Sequence, residues 1–199
     1  ALKDPERALE IAGRGLALVV DSAPAETQKW LERVQRHGAD AGRPEERARV
    51  LVEALGDRAI EGPELQALTI ATGEALALAG DLGGAVRVYR RALTFEPETA
   101  DLLGRVDELL AEQGSPEERL ALYEAALGRG PEPARKQHLL HSMARLLGGE
   151  LRRPDDAIRV WQAALAIDPR DPAAHQALVD AFRAQQDVSA LYSELVRAL

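Results

Sequence analysis

Apolar positions along this chain recur at helical spacing. In L-L-G-R-V-D-E-L-L (Leu102 to Leu110) and L-L-H-S-M-A-R-L-L (Leu139 to Leu147), they fall at offsets i, i+1, i+4, i+7 and i+8. That is one stripe of an amphipathic helix. Alternating runs rich in Val, Ile and Thr are absent, so no strand is predicted. Helix starts are written in local chemistry. Pro44-Glu45-Glu46, Pro116-Glu117-Glu118 and Pro154-Asp155-Asp156 each put a proline where the first helical N–H needs no partner, then acids that the helix dipole favours. Asp81, Ser22 and Ser115 are read as helix-start residues. Pro97, Pro131 and Pro169 force turns. Gly13 to Gly15, Gly83-Gly84 and Gly148-Gly149 read as turns or helix defects. The pattern predicts about eleven helices, near 3–19, 24–38, 44–58, 63–79, 81–95, 98–113, 116–129, 133–148, 154–167, 171–186 and 188–198.

The helices repeat in pairs. V-Y-R-R-A-L (Val88 to Leu93), L-Y-E-A-A-L (Leu122 to Leu127) and V-W-Q-A-A-L (Val160 to Leu165) are copies of one another, with L-V-E-A-L at Leu51 and L-V-R-A-L at Leu195 as plainer versions. Their bulky residues Leu51, Tyr89, Tyr123, Trp161 and Leu195 follow at intervals of 38, 34, 38 and 34 residues. Recurrence at a fixed period is the signature of a repeat architecture. It makes Tyr89, Tyr123 and Trp161 core residues in equivalent slots.

These residues carry a resemblance to the tetratricopeptide repeat. Gln66 to Thr99 is the best unit: Gly73 and Leu76 look like the family's small and bulky first-helix residues, Gly80 like its turn glycine, and Ala85, Tyr89, Ala92 and Pro97 like its second-helix series. Ala100 to Pro133 departs at Asp107 and Arg119 but keeps Ala126 and Pro131. Ala144, Leu147, Ala157, Trp161, Ala164 and Pro169 match again. The last unit keeps Phe182, Ala198 and Leu199 but has Leu191 and Leu195 where Ala and an aromatic are usual. The resemblance spans about residues 28–199 and implies an all-α, right-handed α-solenoid of five antiparallel helix pairs, continuous over that range. Residues 1–27 then form an N-terminal capping helix or truncated repeat. A half-a-tetratricopeptide array would give a similar solenoid.

Composition narrows the chemistry. Of 199 residues, 46% are hydrophobic and only 4% aromatic, so the core must be built from Leu and Ala. A net charge of -8 argues against a phosphate-backbone footprint, so no nucleic-acid partner is expected. No apolar stretch approaches a membrane span. Without cysteine there is no disulfide or thiolate site, and no compartment can be read from redox chemistry. The chain starts at Ala1, which reads as a piece of a longer polypeptide, and 22 Arg against 3 Lys reads as a GC-rich, bacterial coding sequence.

No P-loop, dinucleotide or zincin signature occurs. His138 and His141 lie three apart without a third ligand at suitable spacing, so neither metal nor cofactor is expected. Catalysis within these residues is not expected either. Two functions stay open: a protein-interaction scaffold, or a regulatory or substrate-recognition segment of a larger enzyme. The resemblance implies that a partner's protein or peptide segment binds the concave face lined by the first helices. Carried over unit by unit, that face takes Lys29, Glu32 and Arg36; Ile70 and Glu74; Asp101, Glu108 and Glu112; His138, His141 and Arg145; and Gln176, Asp180 and Arg183. The chain has no Asn, which disfavours the basic, Asn-rich clamp that some family members use for acidic tails.

Overall fold

The computed structural model describes residues 4–95 and 100–197; Pro97, Ala198, Leu199 and the side chain of Asp101 lie outside the described set. Within it the chain is all-helical. It divides into two compact units, residues 1–113 and 114–199.

The first unit contains α1 (Pro5–Ser22), a 3-10 turn (Pro24–Glu26), α2 (Thr27–Ala41), α3 (Pro44–Leu55), α4 (Gly62–Leu78), α5 (Leu82–Phe95) and α6 (Ala100–Glu112). The proline-acid starts act as expected, with Pro44 opening α3. At α1 the Asp4 carboxylate receives the N–H groups of Glu6 and Arg7. The link from α4 to α5 shows how little chain a tight pair needs. Gly80, at φ +83°, takes the left-handed conformation; its N–H reaches Ala77 O and that of Asp81 reaches Leu76 O. These bonds satisfy the last carbonyls of α4. The Asp81 carboxylate then accepts the Gly84 N–H at 2.8 Å and starts α5.

Two local expectations are corrected. Ser22 does not start a helix but ends α1, its hydroxyl donating to Leu18 O at 2.7 Å. Gly13 and Gly15 are neither turns nor defects but lie inside α1, because larger side chains of neighbouring helices fill the space beside them. A Cβ on Gly13 would overlap Val50 of α3, and one on Gly15 would overlap the Trp30 ring of α2. Close approach of this kind offsets the helix penalty of glycine.

The second unit contains α7 (Pro116–Gly128), α8 (Pro133–Gly148), α9 (Pro154–Leu165), α10 (Pro172–Ala184) and α11 (Val188–Arg197). Ser115 stands at the start of α7, but its side chain makes no capping bond. The α10–α11 link repeats the α4–α5 device: Asp187 N–H reaches Phe182 O, Gln186 N–H reaches Arg183 O, and Asp187 accepts the Ala190 N–H. Here the left-handed position, φ +59°, is Gln186 rather than glycine.

The slot residues form the interior. Tyr89, Tyr123 and Trp161 are 2%, 4% and 6% exposed, as expected of core residues in equivalent slots. Trp161 sits with Leu140, Ala144, Ile158, Leu178 and Phe182. In the last helix the pattern breaks, as the departures at Leu191 and Leu195 foreshadow. Leu195 is 45% exposed, and Glu194 turns inward instead.

Candidate functional site

Helices α4 and α6 both pack on α5 and leave a cleft of about 320 Å³ between them. Its walls carry Glu74, Ala77 and Leu78 from α4 and Arg105, Glu108, Leu109 and Glu112 from α6; Tyr89 of α5 is at its base. Positions 74, 77 and 78 share one helix face, as do 105, 108, 109 and 112, by the i, i+3, i+4 rule. Tyr89 is fixed by packing against Gly73, where a Cβ would overlap the ring, and its hydroxyl lies 3.4 Å from Ile70 O.

The cleft is charged on its rim and apolar within. Arg105 Nη1 meets Glu74 Oε1 at 2.7 Å. With Glu108 and Glu112 also on the walls, the cleft is lined by three carboxylates and one guanidinium, a surplus of two negative charges. Leu78 is 67% exposed, an apolar side chain left at the mouth.

Of the residues expected on the binding face, Glu74, Glu108 and Glu112 come together in this cleft, with half-buried Ile70 beside it. Lys29, Glu32 and Arg36 lie exposed along α2, where Lys29 pairs with Glu26 and Glu32 accepts from Gln28. In the second unit, Gln176 and Arg183 both bond Asp180 on the exposed face of α10. His138 and Arg145 are exposed on α8. His141 is engaged elsewhere: its Nε2 bonds the buried Asp171 carboxylate and its ring lies 4.9 Å from that of Trp161. Arg105, Ala77, Leu78 and Leu109 escaped the sequence reading. The spacing of Leu78 four residues after Glu74 was the available signal.

A polar cluster in the second unit was also not anticipated. Asp171 caps α10 through the N–H groups of Ala173 and Ala174 and also receives Gln137. Burial pushes its pKa upward, but the Ala174 N–H, Gln137 and His141 together outweigh burial and hold it below the usual value. His175 is held above its ordinary value chiefly by its bond to Pro169 O, against burial, with help from Glu194. Among the described residues no group of three or more metal-ligating side chains converges.

Two further hollows line the first unit. One of about 430 Å³ between α1 and α3 is bordered by Glu10, Arg14, Arg49 and Glu53, which pair as Arg14–Glu10 and Arg49–Glu53. The other, about 800 Å³ between α3 and α5, includes Arg91, whose guanidinium is anchored on Gly56 O and Arg58 O. No described helix is long and apolar enough to cross a membrane.

No family model and no curated protein matches the sequence. Among solved structures, MamA AMB-1 is similar at 16% identity and a TM-score of 0.51, covering 81% of this chain and 84% of its own. A MamA RS-1 double mutant gives 21% identity, a TM-score of 0.50 and coverage of 85% and 91%. YrrB, described as a TPR protein with an unusual peptide-binding site, gives 15% identity and 0.48, covering 85% and 83%. With the helix pairs and slot residues above, the likeness to MamA places this chain among tetratricopeptide-like all-α repeat folds.

Proposed function

We propose that this protein is an interaction scaffold whose α4/α6 cleft holds a segment of a partner protein. One observation carries the reading: the cleft joins an exposed leucine, an aromatic base and a two-charge acidic surplus in one concavity. Solvent-exposed apolar surface in a hollow gains free energy on being covered, about 25 cal/mol per Å². The charges select what covers it. A peptide with an aliphatic side chain flanked by Lys or Arg meets both requirements. It places the aliphatic group on Leu78 and Leu109 and the cation near Glu108 and Glu112.

The resemblance to the tetratricopeptide repeat implies that Glu74, Glu108 and Glu112 lie on the concave face, which favours that face as the binding side.

A displayed library of random extended peptides, selected on the whole chain, tests the reading. Enriched sequences should carry a basic residue beside an aliphatic one. Their binding should fall tenfold or more, about 1.4 kcal/mol, in Glu108→Lys/Glu112→Lys. Selection of acidic peptides, or of peptides indifferent to this variant, would refute it.

A further inference from the structure

The His175 imidazole lies between two acceptors. Its Nδ1 is 2.5 Å from Glu194 Oε1 of α11, and its Nε2 is 2.9 Å from Pro169 O in the turn before α10. A carbonyl oxygen only accepts, so Nε2 must carry the hydrogen. A neutral ring then has a bare Nδ1, which faces a carboxylate. Two acceptors at that distance repel. The contact is satisfied only when the site holds one more proton, either as imidazolium beside carboxylate or as neutral ring beside carboxylic acid. His175 and Glu194 are 8% and 2% exposed, so water does not relieve the conflict.

We propose that α11 is a proton-latched terminal helix: the proton shared by His175 and Glu194 closes α11 on α10, and its loss releases α11 from the apolar surface around Leu178 and Phe182. The rest of the interface leaves the latch a large share of the work. Ala190 and Leu191 are the partly buried hydrophobic residues of α11 packed on that cluster, whereas Val188, Tyr192, Leu195 and Val196 face outward.

Surrounding charges favour the proton. Asp171, beside the ring, is held by Gln137 and His141 of α8 and contributes negative potential. Arg197 is 3.9 Å from Glu194 and opposes it weakly. In the preceding turn Asp168 accepts the Arg170 N–H. On α9, the other helix packed on α10, Asp155 accepts from Gln185, and Asp156 pairs with Arg153 and Arg159.

The sign follows from the upward shift at His175. The folded group holds its proton to higher pH than the unfolded one, so the latch is fully formed below the ordinary histidine value of about 6.5 and is lost as pH rises through the raised value. Opening should thus come on the alkaline side.

Amide hydrogen exchange on the full chain, expressed as protection relative to the unfolded rate at each pH, reads the state of α11. Between about pH 6 and about pH 9, protection over Val188–Arg197 should fall at least tenfold while that of α8 and α9 stays constant, tenfold being about 1.4 kcal/mol. In Glu194→Gln the amide donates to bare Nδ1 while Nε2–H keeps Pro169, so no extra proton is needed and the pH dependence should vanish. A wild-type helix indifferent to pH, or an equal pH dependence in Glu194→Gln, would overturn the latch. If that variant misfolds, the wild-type side chains decide. At about pH 6, below the ordinary histidine value, NMR should find either an imidazolium at His175 or a protonated Glu194 carboxyl; a neutral ring beside an ionised Glu194 would overturn it.

Discussion

Gly73 and Gly104 both lie inside helices, yet Ala should have opposite effects at the two. In a helix interior, Gly→Ala is favourable by about 0.8–1 kcal/mol because glycine loses the most backbone freedom. At Gly104 on α6 an added Cβ meets nothing within 4 Å, so that full gain should appear. At Gly73 the Cβ would overlap the Tyr89 ring, and the ring is buried with its hydroxyl near Ile70 O. Overpacking a filled core costs about 1–3 kcal/mol, and overlap with a confined ring belongs at the upper end. The net expectation for Gly73→Ala is a loss of about 1–2 kcal/mol. Urea denaturation followed by helical circular dichroism reads this as a midpoint lowered by about 0.3 M or more, for slopes of about 1–3 kcal/mol per M. Tyr89→Leu should make the same alanine cheaper, because the coupling is between touching residues. If Gly73→Ala stabilises as Gly104→Ala does, the account of the Tyr89 slot, and of the cleft base built on it, is wrong.

Three other outcomes follow from the same structure. Trp161→Ala should cost about 3–5 kcal/mol in a denaturant titration, as for other buried aromatics; a negligible shift would mean the residue is not in the core. Gln186→Gly should raise the melting temperature, since the left-handed conformation costs an ordinary residue about 1–2 kcal/mol and glycine almost nothing; a lowered one would contradict the turn. Because Asp171 has a depressed pKa, its contribution is present above the unfolded value of about 3.9 and is lost as pH falls through the folded value. Asp171→Asn should therefore flatten part of the loss of stability below about pH 4 in acid titrations, and an unchanged acid limb would exclude that role.

Helix placement was legible because its signals are local. Proline starts at Pro44, Pro116 and Pro154, the Asp81 cap and the Gly80 turn each act within a few residues, and the recurrence of Tyr89, Tyr123 and Trp161 identified the interior slots. What meets across helices was less legible. Gly13 and Gly15 resemble breaks until Val50 and Trp30 are seen against them. Glu74, Glu108 and Glu112 could be placed on first helices by the repeat register, but Arg105 joins them through a pair spanning 31 residues, which no local pattern announces. His175 and Glu194 escaped for a related reason: the register made Leu195 the inward residue of α11, whereas the observed rotation buries Glu194. His141 was legible as a first-helix residue but not as the partner of Asp171.

The claim at the centre of this account is that a partner segment occupies the α4/α6 cleft. Hydrogen-exchange footprinting of the full chain with the tightest peptide from the library selection tests it directly. Added protection is expected on α4 and α6 near Glu74, Leu78, Glu108 and Glu112, absent in Glu108→Lys/Glu112→Lys. Protection confined to α3 and α5 around the larger hollow near Val52 and Arg87, with the cleft unchanged, would contradict it.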